Sequence, residues 1–137
     1  MSDNLTGQCL CGAVKYECTA AVGAAGYCHC DDCRRCTGSA FNVSVRLDAA
    51  AFYLVRGELK GFTKRADSGA ELTRYFCSNC GSPIYTSSPS HPEFVFVKAG
   101  TVDDSTLVRP THQAWVRSAV PWSRIDAKLQ SYETGRH

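Results

Sequence analysis

A chain of 137 residues with 44% hydrophobic and 20% charged content is long enough to bury a core and too apolar to stay disordered. Its 15 basic and 13 acidic residues leave a net charge of +2, which excludes the strongly basic face of a nucleic-acid binder. No apolar run approaches the ~20 residues of a membrane-spanning helix, and the start Met1-Ser2-Asp3-Asn4 has neither the basic nor the apolar region of a secretory leader.

These bounds predict one domain over residues 1–137, with no membrane partner, in the reducing cytoplasm. There, clustered cysteines serve as metal ligands more readily than as disulfides. The chain has nine cysteines, and eight of them fall in tight clusters.

The predicted elements are short strands. Cys9-Leu10-Cys11-Gly12 comes first, and residues 13–18 then alternate as a strand ending in Cys18, which reads as a small buried hydrophobe. Cys28, Cys30, Cys33 and Cys36 follow, with one short helical turn predicted over residues 31–37. Residues 41–47 place every odd position on an apolar face, and a second short turn is predicted over 48–51. Residues 52–55, 72–76 and 93–98 are rich in aromatic and β-branched side chains and are bounded by Gly, Ser and Pro. Residues 113–116, after His112, read as an aromatic strand, and the tail 131–137 as frayed. No segment keeps a 3.6-residue period for three turns. The predicted class is all-β, with several short antiparallel strands.

The cysteine spacing suggests two metal sites. Cys9, Cys11, Cys77 and Cys80 make a plausible tetrathiolate zinc site, with Cys77-x-x-Cys80-Gly81 as a zinc knuckle whose glycine lets the backbone turn under the ion. One ion would tie an early hairpin to a late one. The competing reading makes Cys9 and Cys11 core thiols and leaves the knuckle to bind alone. Cys28, Cys30 and Cys33 gather three thiolates with no second pair to complete them. Three protein ligands and an open fourth position are the arrangement of a catalytic zinc. Such a centre carries one net negative charge and takes an exogenous thiol as its natural fourth ligand. Cys36 is read as a neighbouring free thiol; the alternative is that it closes the site and makes it structural. An iron–sulfur reading of Cys30-x-x-Cys33-x-x-Cys36 lacks the fourth spacing and the following proline. His29, between two ligands, is expected at the surface or supporting the site, and Asp31 and Asp32 as caps of the short turn. His112 is read as packing or rim, and no general base stands out.

These residues resemble the glutathione-dependent formaldehyde-activating enzyme family, also called the Gfa or centromere-protein-V-like family. The resemblance runs from about Leu5 to Asp126. It is carried by Gly7-Gln8-Cys9-Leu10-Cys11-Gly12, by the run from Cys28 to Gly38, by Phe76-Cys77-Ser78-Asn79-Cys80-Gly81, by Gly100-Thr101-Val102-Asp103, and by His112 with Pro121-Trp122. It implies a β-tent-like fold stapled by a structural zinc on Cys9, Cys11, Cys77 and Cys80, and a second, more labile zinc on Cys28, Cys30 and Cys33. The implied activity is a carbon–sulfur lyase or synthase reaction that interconverts glutathione and formaldehyde with S-hydroxymethylglutathione. Cys36 departs from the family pattern.

Two functions follow as expectations. The first is a zinc lyase acting on glutathione or a similar thiol, with Arg34 and Arg35 as candidate contacts to the substrate carboxylates. The second is a non-catalytic zinc-stapled binding module with both sites structural. A nucleic-acid zinc ribbon fits poorly, because the chain pairs one knuckle with a CxC.

Overall fold

The computed structural model describes residues 4–66 and 68–135. Strands β1 (Leu5–Gln8), β2 (Lys15–Cys18) and β5 (Phe52–Arg56) form a small sheet in the order β1-β2-β5. The other strands are β3 (Ala25–Cys28), β4 (Asn42–Asp48), β6 (Leu59–Arg65), β7 (Glu71–Cys77), β8 (Pro83–Ser87), β9 (Phe94–Lys98), β10 (Pro110–Ala114) and β11 (Gln130–Ser131). They form an eight-stranded sheet in the order β11-β10-β3-β4-β9-β8-β7-β6. The all-β class is therefore as read from the sequence. The described residues include one α-helix, α1 (Asp31–Thr37), and a 3₁₀ turn over Ala49–Ala51, both where short turns are predicted.

The alternation that marks the strands also builds the core. Leu5, Tyr16 and Cys18 of the small sheet meet Val45, Leu47, Ile84, Val95 and Val97 of the large one, each nearly sealed from solvent. Burying side chains of this size is worth roughly 1.5–3 kcal/mol each, which is what holds the two sheets together. Cys18 is wholly buried, as expected for a small hydrophobe. A bridge between Gly7 and Val102 links the small sheet to the segment after β9.

Where the sheets approach, β1 needs a residue without a side chain. A Cβ on Gly7 would run into the Tyr16 ring and the Thr101 carbonyl. Tyr16 cannot swing away, because it is buried and its hydroxyl hydrogen-bonds Thr101 Oγ1 at 2.6 Å. Gly7→Ala is therefore expected to cost about 1–3 kcal/mol through overpacking, read as a lower urea midpoint. Gly100→Ala, where a Cβ would stand in open space, should leave the midpoint nearly unchanged.

Two expectations are corrected here. The strand predicted over 113–116 is instead β10, which ends at Ala114; Trp115 has φ +57° and begins a 3₁₀ turn over Val116–Ser118. The several antiparallel strands are as expected, and β10 in addition lies parallel to β3 and to β11. The tail predicted to fray is tied down. Tyr132 N–H donates to Gln113 O at 2.9 Å, Val116 N–H to Tyr132 O at 3.1 Å and Trp115 N–H to Thr134 O at 3.0 Å. Long-range backbone pairing holds a polar segment whose composition says nothing of it. Arg136 and His137 lie outside the described residues.

Candidate metal centre and adjoining cavity

Two hairpin turns bring the first cluster together. Cys9 and Cys11 lie in the turn between β1 and β2, Cys77 ends β7, and Cys80 lies in the turn into β8. Gly12 and Gly81, each directly after a cysteine, both take φ +80°, a left-handed conformation that glycine adopts without strain. Leu10 N–H donates to Ser82 Oγ at 3.0 Å and pins one turn against the other. All four sulfurs lie within 4.8 Å of one another.

The donors and their spacing fit a tetrahedral zinc. Arms of ~2.3 Å place tetrahedral sulfurs about 3.8 Å apart. Cys9 Sγ and Cys11 Sγ are 3.5 Å apart, and Cys11 Sγ and Cys77 Sγ 3.9 Å. These distances also rule out a disulfide, whose S–S bond is about 2.05 Å. N–H groups face the sulfurs, as thiolates require: Val14 N donates to Cys9 at 3.3 Å, Asn79 N to Cys77 at 3.3 Å and Asn79 Nδ2 to Cys11 at 3.3 Å. The Ser82 hydroxyl, with help from its N–H, pulls the Cys80 thiol down to about 5.

The second cluster joins a strand end to a helix start. Cys28 closes β3, Cys30 is the N-cap of α1, and Cys33 sits one turn in. Their sulfurs also lie within 4.8 Å of one another, and Cys33 N–H donates to Cys30 Sγ at 3.3 Å. Bonds from the Cys28 and Cys33 thiols, with Arg74's charge adding to them, hold Cys30 down to about 2. The bond to Cys30 pushes Cys28 up to about 11, and bonds to both neighbours push Cys33 up as well. Three converging sulfurs are a donor set that a borderline divalent ion such as zinc can take.

Cys36 does not join the cluster. It is exposed, and its thiol points to Cys33 O at 3.5 Å. Neither Asp31 nor Asp32 caps the helix, since Cys30 holds that position. Asp31 pairs with Arg34 at 3.0 Å, and Asp32 binds Lys64 of β6 at 2.7 Å, which fastens α1 to the large sheet. Arg34 is thereby engaged on the helix, and Arg35 is exposed. His29 is not at the surface: it is 1% exposed, its Nε2 lies 2.9 Å from Gln113 Oε1, and its ring packs edge-on to Phe41. His112 packs against Tyr132.

Beside the second cluster lies a cavity of roughly 230 Å³, lined by Cys36, Phe62, Arg74, Phe76, Gly81 and Lys98 among others. It runs from α1 to the glycine that follows Cys80. Arg74 and Lys98 were missed in the sequence reading. Arg74 sits in an ordinary-looking strand, and the one available signal for Lys98 is a cation closing the apolar run Phe94-Val95-Phe96-Val97. Lys98 is 7% exposed, and its Nζ donates to Asn42 Oδ1 at 2.8 Å. Asn42 is the cross-strand partner of Cys28.

The fold and the sulfur geometry together define a β protein whose thiol clusters can hold metal ions. Residues 4–118 match the family described as "Glutathione-dependent formaldehyde-activating enzyme", and the chain belongs to that family. A protein of Halomonas elongata named "Putative glutathione-dependent formaldehyde-activating enzyme" is 28% identical over 141 residues, which span 92% of this chain and 83% of that one. In fold, the chain is similar to the crystal structure of a Rhodobacter sphaeroides protein, with a TM-score of 0.58 and 21% identity, over 93% of this chain and 98% of the other. Among the described residues, no helix is long and apolar enough to cross a membrane.

Proposed function

We propose that this chain is a single-domain, cytoplasmic, zinc-dependent carbon–sulfur lyase that interconverts glutathione and formaldehyde with S-hydroxymethylglutathione. The observation that carries the reading is the contrast between the two clusters. Cys9, Cys11, Cys77 and Cys80 form a closed set of four. Cys28, Cys30 and Cys33 form a set of three, and the nearby Cys36, which lines the adjoining cavity, turns its thiol to a backbone carbonyl instead of completing it. Family membership supports glutathione as the thiol.

In this reading Cys9, Cys11, Cys77 and Cys80 hold a structural zinc, and Cys28, Cys30 and Cys33 a catalytic one. When bound there, zinc stabilises a thiolate at neutral pH. In the forward direction the thiol sulfur adds to the formaldehyde carbon, a C–S bond forms, and the thiol proton ends on the former carbonyl oxygen. The reverse step breaks the same bond. The chain's residues hold the reacting groups together, which removes the entropic cost of their encounter. Cys30 keeps its position through the Cys33 N–H, and Arg74 adds positive charge beside it.

Exchange of ¹³C-formaldehyde into S-hydroxymethylglutathione, followed by NMR, tests the reading. Zinc-loaded protein should speed exchange well above the buffer rate. Exchange at the buffer rate with two zincs bound per chain would overturn it.

A further inference from the structure

Lys98 is the most unusual charge in the molecule. The residue is buried, lines the cavity, and donates from its ammonium to the neutral Asn42 side chain. Among the described residues it pairs with no carboxylate. Asn42 offers the ammonium only its single carbonyl oxygen, since its amide nitrogen is a donor and is directed to Ser44 Oγ at 2.8 Å. A buried ammonium has three donors and a large desolvation cost, and is retained where an anion compensates it. Arg74, partly buried, lines the same cavity and, among the described residues, also pairs with no carboxylate. Two cations therefore line one cavity whose other walls include Phe62, Phe76 and Gly81.

The cavity is placed to serve the second cluster. Arg74's charge reaches Cys30, Cys36 lies one helical turn from Cys33, and Asn42 couples Lys98 to the strand position opposite Cys28. We infer that this cavity is a carboxylate site in which Lys98 and Arg74 hold the acid group of the thiol substrate while its sulfur reaches Cys28, Cys30 and Cys33. This rests on the thiol-substrate reading above and deepens it. The positioning cations become Lys98 and Arg74 in place of Arg34 and Arg35. The preferred substrates are thiols carrying a carboxylate a few bonds from sulfur, and burial of the Lys98 side chain strengthens an ion pair formed there.

Calorimetry on the zinc-loaded full chain with S-methylglutathione tests the inference. This probe keeps both carboxylates and has no free thiol. Its dimethyl ester should bind at least about tenfold more weakly, the loss expected for a charge-assisted hydrogen bond. Lys98→Met, a volume-conserving change at a buried position, and Arg74→Gln should each weaken binding of the acid by a similar factor. Neither should change binding of the ester or the zinc content. Equal affinities for acid and ester, or variants that keep the parent affinity, would overturn the site. So would loss of the second zinc in Lys98→Met with affinity for the acid unchanged, which would assign Lys98 to balancing the thiolates. Because the probe's sulfur is blocked, its binding is independent of turnover. Failed formaldehyde exchange with intact carboxylate binding would sink the lyase reading alone.

Discussion

Cys77→Ser is expected to lose one zinc per chain and most of the protein's stability together. Cys77 is buried at the end of β7, and its sulfur lies within 4.8 Å of those of Cys9, Cys11 and Cys80. The turns these residues occupy are otherwise joined by few bonds, the Leu10 N–H to Ser82 contact among them. Binding of structural zinc contributes on the order of 10 kcal/mol to folding in small metal domains. That is comparable to the whole net stability of a chain this size. A serine hydroxyl is a poor replacement for a thiolate and leaves the site with three ligands. Thermal melts by circular dichroism, with zinc counted on the same sample, check this. Cys18→Ser is the control: Cys18 is equally buried but belongs to neither cluster, so it should cost about 1–3 kcal/mol and no zinc. A Cys77→Ser protein that keeps two zincs and the parent melting temperature would refute the staple.

Cys30→Ser should do the opposite: abolish the chemistry and leave the fold. Cys30 caps α1 by accepting Cys33 N–H, and serine is a better cap than cysteine. The helix start is therefore preserved while the thiolate is removed. None of the residues of α1 is buried, and its loosening would not open the core between the sheets. The expected result is one zinc per chain, a melting temperature within a few degrees of the parent, and formaldehyde exchange reduced about a hundredfold or more, as befits loss of a metal that stabilises developing charge. Undiminished exchange, or two zincs retained, would show that Cys28 and Cys33 suffice without Cys30. Doubling the substitution with Cys36→Ser distinguishes rescue by the neighbouring thiol: a second zinc that survives Cys30→Ser and disappears in the double variant belongs to Cys36.

The cysteine groupings were legible in the sequence because close spacing forces convergence. Two thiols one or two residues apart, followed by a glycine, can face one point from a single turn, and Gly12 and Gly81 do adopt the left-handed backbone this requires. The helical turn over 31–37 was legible for a related reason, since residues 30 and 33 converge when one helical turn separates them. For His29, expected either at the surface or supporting the site, strand alternation gives its direction relative to Cys28 and Cys30 but says nothing of Phe41 and Gln113, which cover it and exclude the surface. Asp31 and Asp32 have the chemistry of caps, yet the position one residue earlier went to a sulfur.

The sequence by itself determined the all-β class and which neighbouring cysteines pair or group within one turn, both of which rest on local periodicity and spacing, and its motifs carry the resemblance to the family. Tertiary structure alone decided three other matters. It joined the turn after β1 to the turn after β7, although they are distant in the chain. It laid β10 parallel to β3 and tied the C-terminal segment to it. It also placed Arg74 and Lys98 beside the second cluster and turned Arg34 toward Asp31. A charged residue's role depends on which neighbours remove it from water and which leave it without a counter-charge, and those neighbours come from other strands of the sheet.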